Sequence, residues 1–273
     1  MLENEIKTLK LSDQQAKALL ADSKELLIYL TPKLQDQTLL VYLDPFGLEG
    51  CEFETLMPLL TRSTDSSTEI IININMPEFH RRAGREAIQM GKEIPAEIGV
   101  HHSFLNKIFG GDYWKTFEFD STMDNKPKLR ELKVMEEYCK KLEQCFPFTR
   151  FCPVRESKTG PTKYFIVFCS RHPDALWLMN DIMRNAYQKY IFGSPYGELD
   201  LFNPLILRTE IAEIVKVKPG ISRKEVTIKI FDRHFLQYSK SDIGKTVGEL
   251  NGKVLRFESP TGRLNDGALL FPI

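Results

Sequence analysis

Two apolar runs limit what this chain can fold into. Thr38-Leu39-Leu40-Val41-Tyr42-Leu43 stops at Asp44-Pro45-Phe46-Gly47, and Glu69-Ile70-Ile71-Ile72-Asn73-Ile74-Asn75 follows after a helical stretch from Phe53 to Leu60. A strand with one wet face alternates apolar and polar residues, whereas a strand buried on both faces is apolar nearly throughout, as in parallel sheets. Strand, helix and strand of these lengths predict a βαβ unit in an open α/β sheet.

The flanking sequence extends that sheet. Ile6 to Leu11 reads as a short strand and Asp13 to Leu30 as a helix, with Ser12 or Asp13 at its cap. Pro77 to about Lys115 is mostly helical and breaks at Gly110-Gly111, which predicts a helical insert. Within it His80, Arg81, Arg82 and Arg85 form a basic helix face, either solvated or turned to a phosphate backbone, and His101-His102 reads as surface. Lys128 to Cys145 carries Leu129, Leu132, Met135, Tyr138 and Leu142 on one helical face. Phe148 to Val154 and Lys163 to Cys169 flank a Gly160-Pro161 turn and predict an antiparallel hairpin at the sheet edge. Pro173 opens a helix with Leu176, Leu178, Met179, Ile182 and Met183, and His172 reads as its cap.

Gly193 to Pro204 has linker composition and divides the chain into residues 1–195 and 205–273. The second part holds three helical patterns, Leu205 to Val217, Ser222 to His234 and Ser239 to Leu250. A hairpin from Val254 to Phe271 completes the order of a winged helix. Arg223, Lys224, Lys240, Lys245, Arg256 and Arg263 are its candidate phosphate contacts, with Ser239 to Leu250 in the recognition-helix position. Asp232, Asp242, Glu249 and Glu258 offset much of that charge, so nucleic acid and protein both stand as partners.

Bulk properties narrow the function classes. Lys plus Arg and Asp plus Glu both number 37, so no whole-chain field points to a polyanion or a membrane surface. The five cysteines contain no CxxC pair, and no secretory signal stands ahead of them, which predicts free thiols in a reducing cytoplasm and no metal site. No apolar run reaches the ~20 residues that a membrane-spanning helix requires.

Asp44-Pro45-Phe46-Gly47 follows a predicted strand, and open α/β sheets bind ligands at the carboxyl ends of their strands. Asp44 can accept a hydrogen bond there, Pro45 removes a backbone donor and leaves carbonyls to face an amine, and Phe46 can stack on a flat ring. Val41-Tyr42-Leu43-Asp44-Pro45-Phe46-Gly47 resembles the Asp-Pro-Pro-Tyr-type motif of class I amino-methyltransferases. Tyr164 to Pro173, continued by a helix with Leu176 and Met179, is similar to the Phe-Ala-(Ser/Thr)-Asn-His-Pro stretch of the three-Cys-motif partner protein family (TcmP). The three helices and wing at the C-terminus match the layout of that family.

The resemblance implies a Rossmann-like sheet of strand order 3-2-1-4-5-7-6 and S-adenosylmethionine as cofactor. It also implies Asp44, Pro45 and Phe46 as the catalytic corner, Asp13 as an acidic contact to the cofactor's adenine, and a nucleobase or other amine as acceptor. Its partner would be a three-Cys-motif protein resembling radical S-adenosylmethionine enzymes. The family's glycine-rich Phe-Ala-Gly-Pro-Gly loop and the following ribose-binding acid have no counterpart before Ile6. Without that loop the cofactor lacks a backbone cradle, and the strand at Leu39 to Leu43 keeps a bare edge. Truncation, completion of the sheet by a second subunit, or a shift of the first strand to that edge are the alternatives, and a non-catalytic adaptor is the other functional expectation.

Overall fold

The computed structural model describes residues 8–10, 12, 16, 21–89, 96–157, 160–190 and 203–273. Strand β1 (Leu39–Leu43) pairs in parallel with β2 (Thr68–Asn75), joined by helix α2 (Phe53–Leu60) as the sequence predicts. Strand β3 (Phe148–Arg155) and strand β4 (Thr162–Ser170) form the antiparallel hairpin. β4 lies between β2 and β3, antiparallel to both, so the sheet runs β1-β2-β4-β3.

Strand β2 alternates strictly between a buried and a half-buried face. Ile70, Ile72 and Ile74 are fully buried with Phe165, Val167 and Cys169 of β4, and each isoleucine is worth roughly 1.5–3 kcal/mol. Helix α3 (Met76–Ala83), α5 (Ala96–Phe109) and α7 (Pro127–Glu143) complete that core, together with α2. Short helices α4 (Arg85–Gln89) and α6 (Trp114–Glu118) fill the insert, and Trp114 is fully buried. Arg62 closes the opposite end of the unit. Its Nη1 donates to Ser67 O at 3.0 Å and Thr68 Oγ1 at 2.6 Å, and its Nη2 reaches the carbonyls of Leu34 and Gln37.

The other sheet face is only partly covered. Helix α8 (Pro173–Tyr190) lies against β3 and β4, where Cys152 joins Leu176, Met183 and Tyr187 in a second core. Over β1 the same face is bare, with Leu40 64% and Tyr42 58% exposed. The expectation of full burial on both faces therefore fails at β1, because no helix crosses it among the described residues. Among the described residues β1 is also the sheet edge.

Four sequence expectations need correction. Of the strand at Ile6 to Leu11, only Thr8, Leu9 and Lys10 lie among the described residues. They form a helical turn, with Lys10 at a left-handed φ of 54° that no strand tolerates. The helix expected from Asp13 to Leu30 does not run through Ala21 and Asp22; its described part is α1 (Ser23–Leu30), whose start the Asp22 side chain caps at Lys24 N and Glu25 N, and Asp13 lies outside the described residues. On α7 the expected apolar face holds at Met135, Tyr138 and Leu142, with Leu132 packed on the core, but in its first turn Leu129 is exposed while Arg130 and Glu131 are buried. Leu178 and Ile182 of α8 likewise face outward.

Beyond the expected linker, of which only Asn203 and Pro204 are described, come α9 (Pro204–Val217), β5 (Ile221–Ser222), α10 (Arg223–Arg233) and α11 (Lys240–Leu250). Then β6 (Leu255–Glu258) and β7 (Leu269–Pro272) follow, and β7 pairs antiparallel with both β5 and β6. Capping boxes at Ser222 with Glu225 and Ser239 with Asp242 set the starts of α10 and α11. Helix α8 packs into this module's core. Asn180 clasps the two by donating to Tyr238 O at 3.0 Å and accepting from Leu236 N at 2.7 Å.

Candidate functional site

The chain leaves β1 at Leu43 and turns outward at once. Asp44 is exposed, and its Oδ1 accepts from Asn73 Nδ2 on β2 at 2.6 Å, which holds the carboxylate at the strand terminus. Phe46 is 102% exposed, with its ring free to meet a ligand. Gly47 adopts φ 89°, and a Cβ there would meet Glu49 Oε2 at 2.9 Å, so glycine is required for the turn. The base of the turn is firm: Leu48 and Cys51 are fully buried, and Arg82 bridges Glu49 and Glu78 at 2.5 Å each. Burial first, and then the Asp44 carboxylate, raise the Tyr42 phenol above its ordinary value. Asp44, Pro45 and Phe46 thus form one corner at the carboxyl end of the edge strand. It presents an acceptor oxygen and an aromatic face. Asp13, the expected cofactor contact, lies outside the described residues.

A second polar centre escaped the sequence reading. His80, on α3, places Nε2 2.9 Å from Glu131 Oε1 and Nδ1 3.6 Å from Glu118 Oε1. Thr162 Oγ1 donates to the other Glu131 oxygen at 2.5 Å, and Arg130 Nε lies 3.5 Å from Glu118 Oε2. Glu118, Glu131, Arg130 and Thr162 are all buried. Burial alone would lower the His80 pKa, but hydrogen bonds and charge from Glu118 and Glu131 outweigh it and raise it to about 9. The network forms the floor of a cleft of about 720 Å³. The basic residues read as one helix face are divided between α3 and α4 and paired within the chain, Arg81 with Glu78 at 2.6 Å and Arg85 with Asp124. The first turn of α7 carried the sequence signal, an Arg130-Glu131 pair on the inward side. His102, expected at the surface, instead bonds Ala83 O at 3.0 Å and packs edge-on to Trp114. His172 does cap α8, accepting from Asp174 N at 3.2 Å.

The six basic residues of the C-terminal module fall into separate places. Arg223 and Lys240 converge on Asp266, whose carboxyl is held below its usual range by both cations despite partial burial. Lys245 joins them in a groove of about 750 Å³, and Arg184 of α8 lines its other wall. Lys224 pairs with Asp174 at 2.7 Å, and both Lys224 and Lys240 lie over the Trp177 ring. Arg256 pairs with Glu258 and stacks on Phe271, and Arg263 is exposed on the β6–β7 connection. Gly244 leaves the space that Arg223 occupies, since a Cβ there would sit 3.0 Å from its Nη1. Arg184 and Trp177 were not anticipated, because they belong to α8 and reach the groove only through packing.

Among the described residues no group of three His, Cys, Asp or Glu side chains is arranged to hold a metal, and no helix is long and apolar enough to cross a membrane. No protein-family model, curated protein or solved structure matches the chain.

Proposed function

We propose that the chain is the acceptor-binding part of a class I methyltransferase-like protein of the three-Cys-motif partner (TcmP) type, acting on a nucleobase or another exocyclic amine. One observation carries this. The order β1-β2-β4-β3, with β4 reversed, corresponds to the last four places of 3-2-1-4-5-7-6, and Asp44 stands at the carboxyl end of the strand in the fourth place. Asp44 would accept a hydrogen bond from the amine, the carbonyls near Pro45 would polarise it, and Phe46 would stack on the ring that bears it. Positioning of this kind supplies most of the acceleration in a transfer between two bound partners.

S-adenosylmethionine, when bound, supplies the methyl group. The described residues do not fit it by themselves: the outer edge of β1, where a strand with a glycine-rich loop would lie, pairs with none of them. We therefore assign the cofactor cradle to a second subunit whose strand completes the sheet at that edge. The test compares calorimetric titration of S-adenosylmethionine into the chain alone and into its complex isolated from the native cell. Binding by the complex alone is expected. Binding by the isolated chain, or by neither, would overturn the assignment.

The groove beside α11 favours a second role for the C-terminal module, read as a winged helix: an adaptor that docks a nucleic-acid backbone. Arg184, Arg223, Lys240 and Lys245 face the groove, while Asp181 lines it and Asp242 and Asp266 neutralise part of that charge. Charge reversal at Lys245, which leaves the Asp266 pairs intact, should weaken a salt-dependent duplex complex and lower its salt slope by about 1. Retention of a cysteine-rich partner protein with no duplex binding would assign the module to protein docking.

A further inference from the structure

The groove beside α11 holds more cations than it presents. Arg184, Arg223, Lys240 and Lys245 line it, yet three of them already meet carboxylates: Arg184 lies 3.5 Å from Asp242, and Arg223 and Lys240 both meet Asp266. Lys245 is exposed and meets no acid among the described residues. The electrostatic grip on a nucleic acid grows with the number of phosphates neutralised, so Asp266 sets how many cations the groove can offer. Its backbone is fixed. Lys224 N donates to Asp266 O at 3.0 Å and Arg223 N donates to Ala268 O at 2.9 Å, which pins this part of the β6–β7 connection to the start of α10. The carboxylate spans the two cations, Oδ1 accepting from Arg223 Nη2 and Oδ2 from Lys240 Nζ at 3.0 Å, as two oxygens of a phosphate would. The Asp266 and Lys240 side chains are 40% and 39% exposed, and an ion pair so open to water is weak. Arg223 is more enclosed, at 14%, in the space that Gly244 leaves. Release of Asp266 thus needs only a side-chain rotation into solvent.

On the reading of this module as a nucleic-acid adaptor, on which the step rests, we propose that Asp266 is an internal stand-in for a backbone phosphate. It occupies Arg223 and Lys240 in the free chain, and a phosphate of the bound nucleic acid displaces it, so that both cations join Lys245 in the grip. The experiment follows a short fluorescent DNA duplex binding to the full chain over a salt series. Asp266→Asn should bind it about tenfold more tightly at low salt, with a salt slope steeper by about 1. Asp181→Asn removes an equal charge from the groove wall without freeing a cation, and should gain roughly twofold at most. The wild type supplies a second readout if Asp266→Asn does not fold. Burial raises the Asp266 pKa, but Lys240 and Arg223 outweigh it and hold it below its ordinary value; carboxyl NMR should show it rising once duplex occupies both cations. A gain in Asp266→Asn no larger than in Asp181→Asn, or an Asp266 pKa that bound duplex leaves unchanged, would overturn the displacement and leave the adaptor reading standing. Duplex binding by neither the wild type nor Asp266→Asn would overturn the adaptor reading and the displacement with it.

Discussion

His80 Nε2 and Glu131 Oε1 lie 2.9 Å apart although 51 positions separate them, and the contact ties α3 to α7 at the floor of the cleft. The His80 pKa is raised from 6.5 to about 9. Its contribution to stability is therefore complete below about pH 6.5 and is lost as pH rises through about 9. Chemical denaturation across that window should show stability falling with pH. In His80→Gln the slope should flatten, with an overall loss of about 1–3 kcal/mol at pH 6.

Arg62 joins the turn before β1 to the turn before β2 by hydrogen bonds to several carbonyls. Arg62→Met keeps the aliphatic stem but strands those acceptors, at a cost of about 3 kcal/mol. For a chain of this size that corresponds to a melting temperature lower by roughly 6–12 °C, measurable by calorimetry. An unchanged midpoint would mean that the two turns are held by other contacts.

All five cysteines are free thiols, and burial raises the pKa of Cys51, Cys139, Cys152 and Cys169, to about 12 for Cys51 and Cys169. Thiolate is the reactive form. Brief alkylation of the native protein at neutral pH, read by mass spectrometry, should modify the half-buried Cys145 and leave the other four unmodified until the chain unfolds.

Much of the scaffold was legible because its signals are local. The apolar run at β1, the alternation at β2, the Gly160-Pro161 turn and the caps at Ser222 and Ser239 each fix an element through neighbouring residues. The Asp44 corner was legible for the same reason, since a strand followed by Asp-Pro-Phe-Gly places it at a strand end. The cleft was not. Arg130 and Glu131 look like solvent-facing charges on a helix, and they are buried only because His80 and Thr162, far away in sequence, supply their partners. Periodicity ranks positions by hydrophobicity and so placed Met135, Tyr138 and Leu142 inward but also Leu129, whereas a buried ion network carries no apolar signature. The groove beside α11 was half legible. Lys240 and Lys245 lie on one predicted helix, but Arg184 and Trp177 enter through the packing of α8 on the module.

The open edge of β1 is the claim on which the functional proposal rests, and amide hydrogen exchange tests it residue by residue. Leu39 N bonds Ser67 O at 2.9 Å, so by strand alternation Val41 and Leu43 also direct their N–H groups to β2, while those of Leu40 and Tyr42 point away from the sheet. In the isolated chain Leu40 and Tyr42 should exchange rapidly and Val41 and Leu43 slowly, and the first pair should become protected in the complex with the second subunit. Protection of Leu40 and Tyr42 equal to that of Val41 in the isolated chain would contradict the account, because the edge would already be filled.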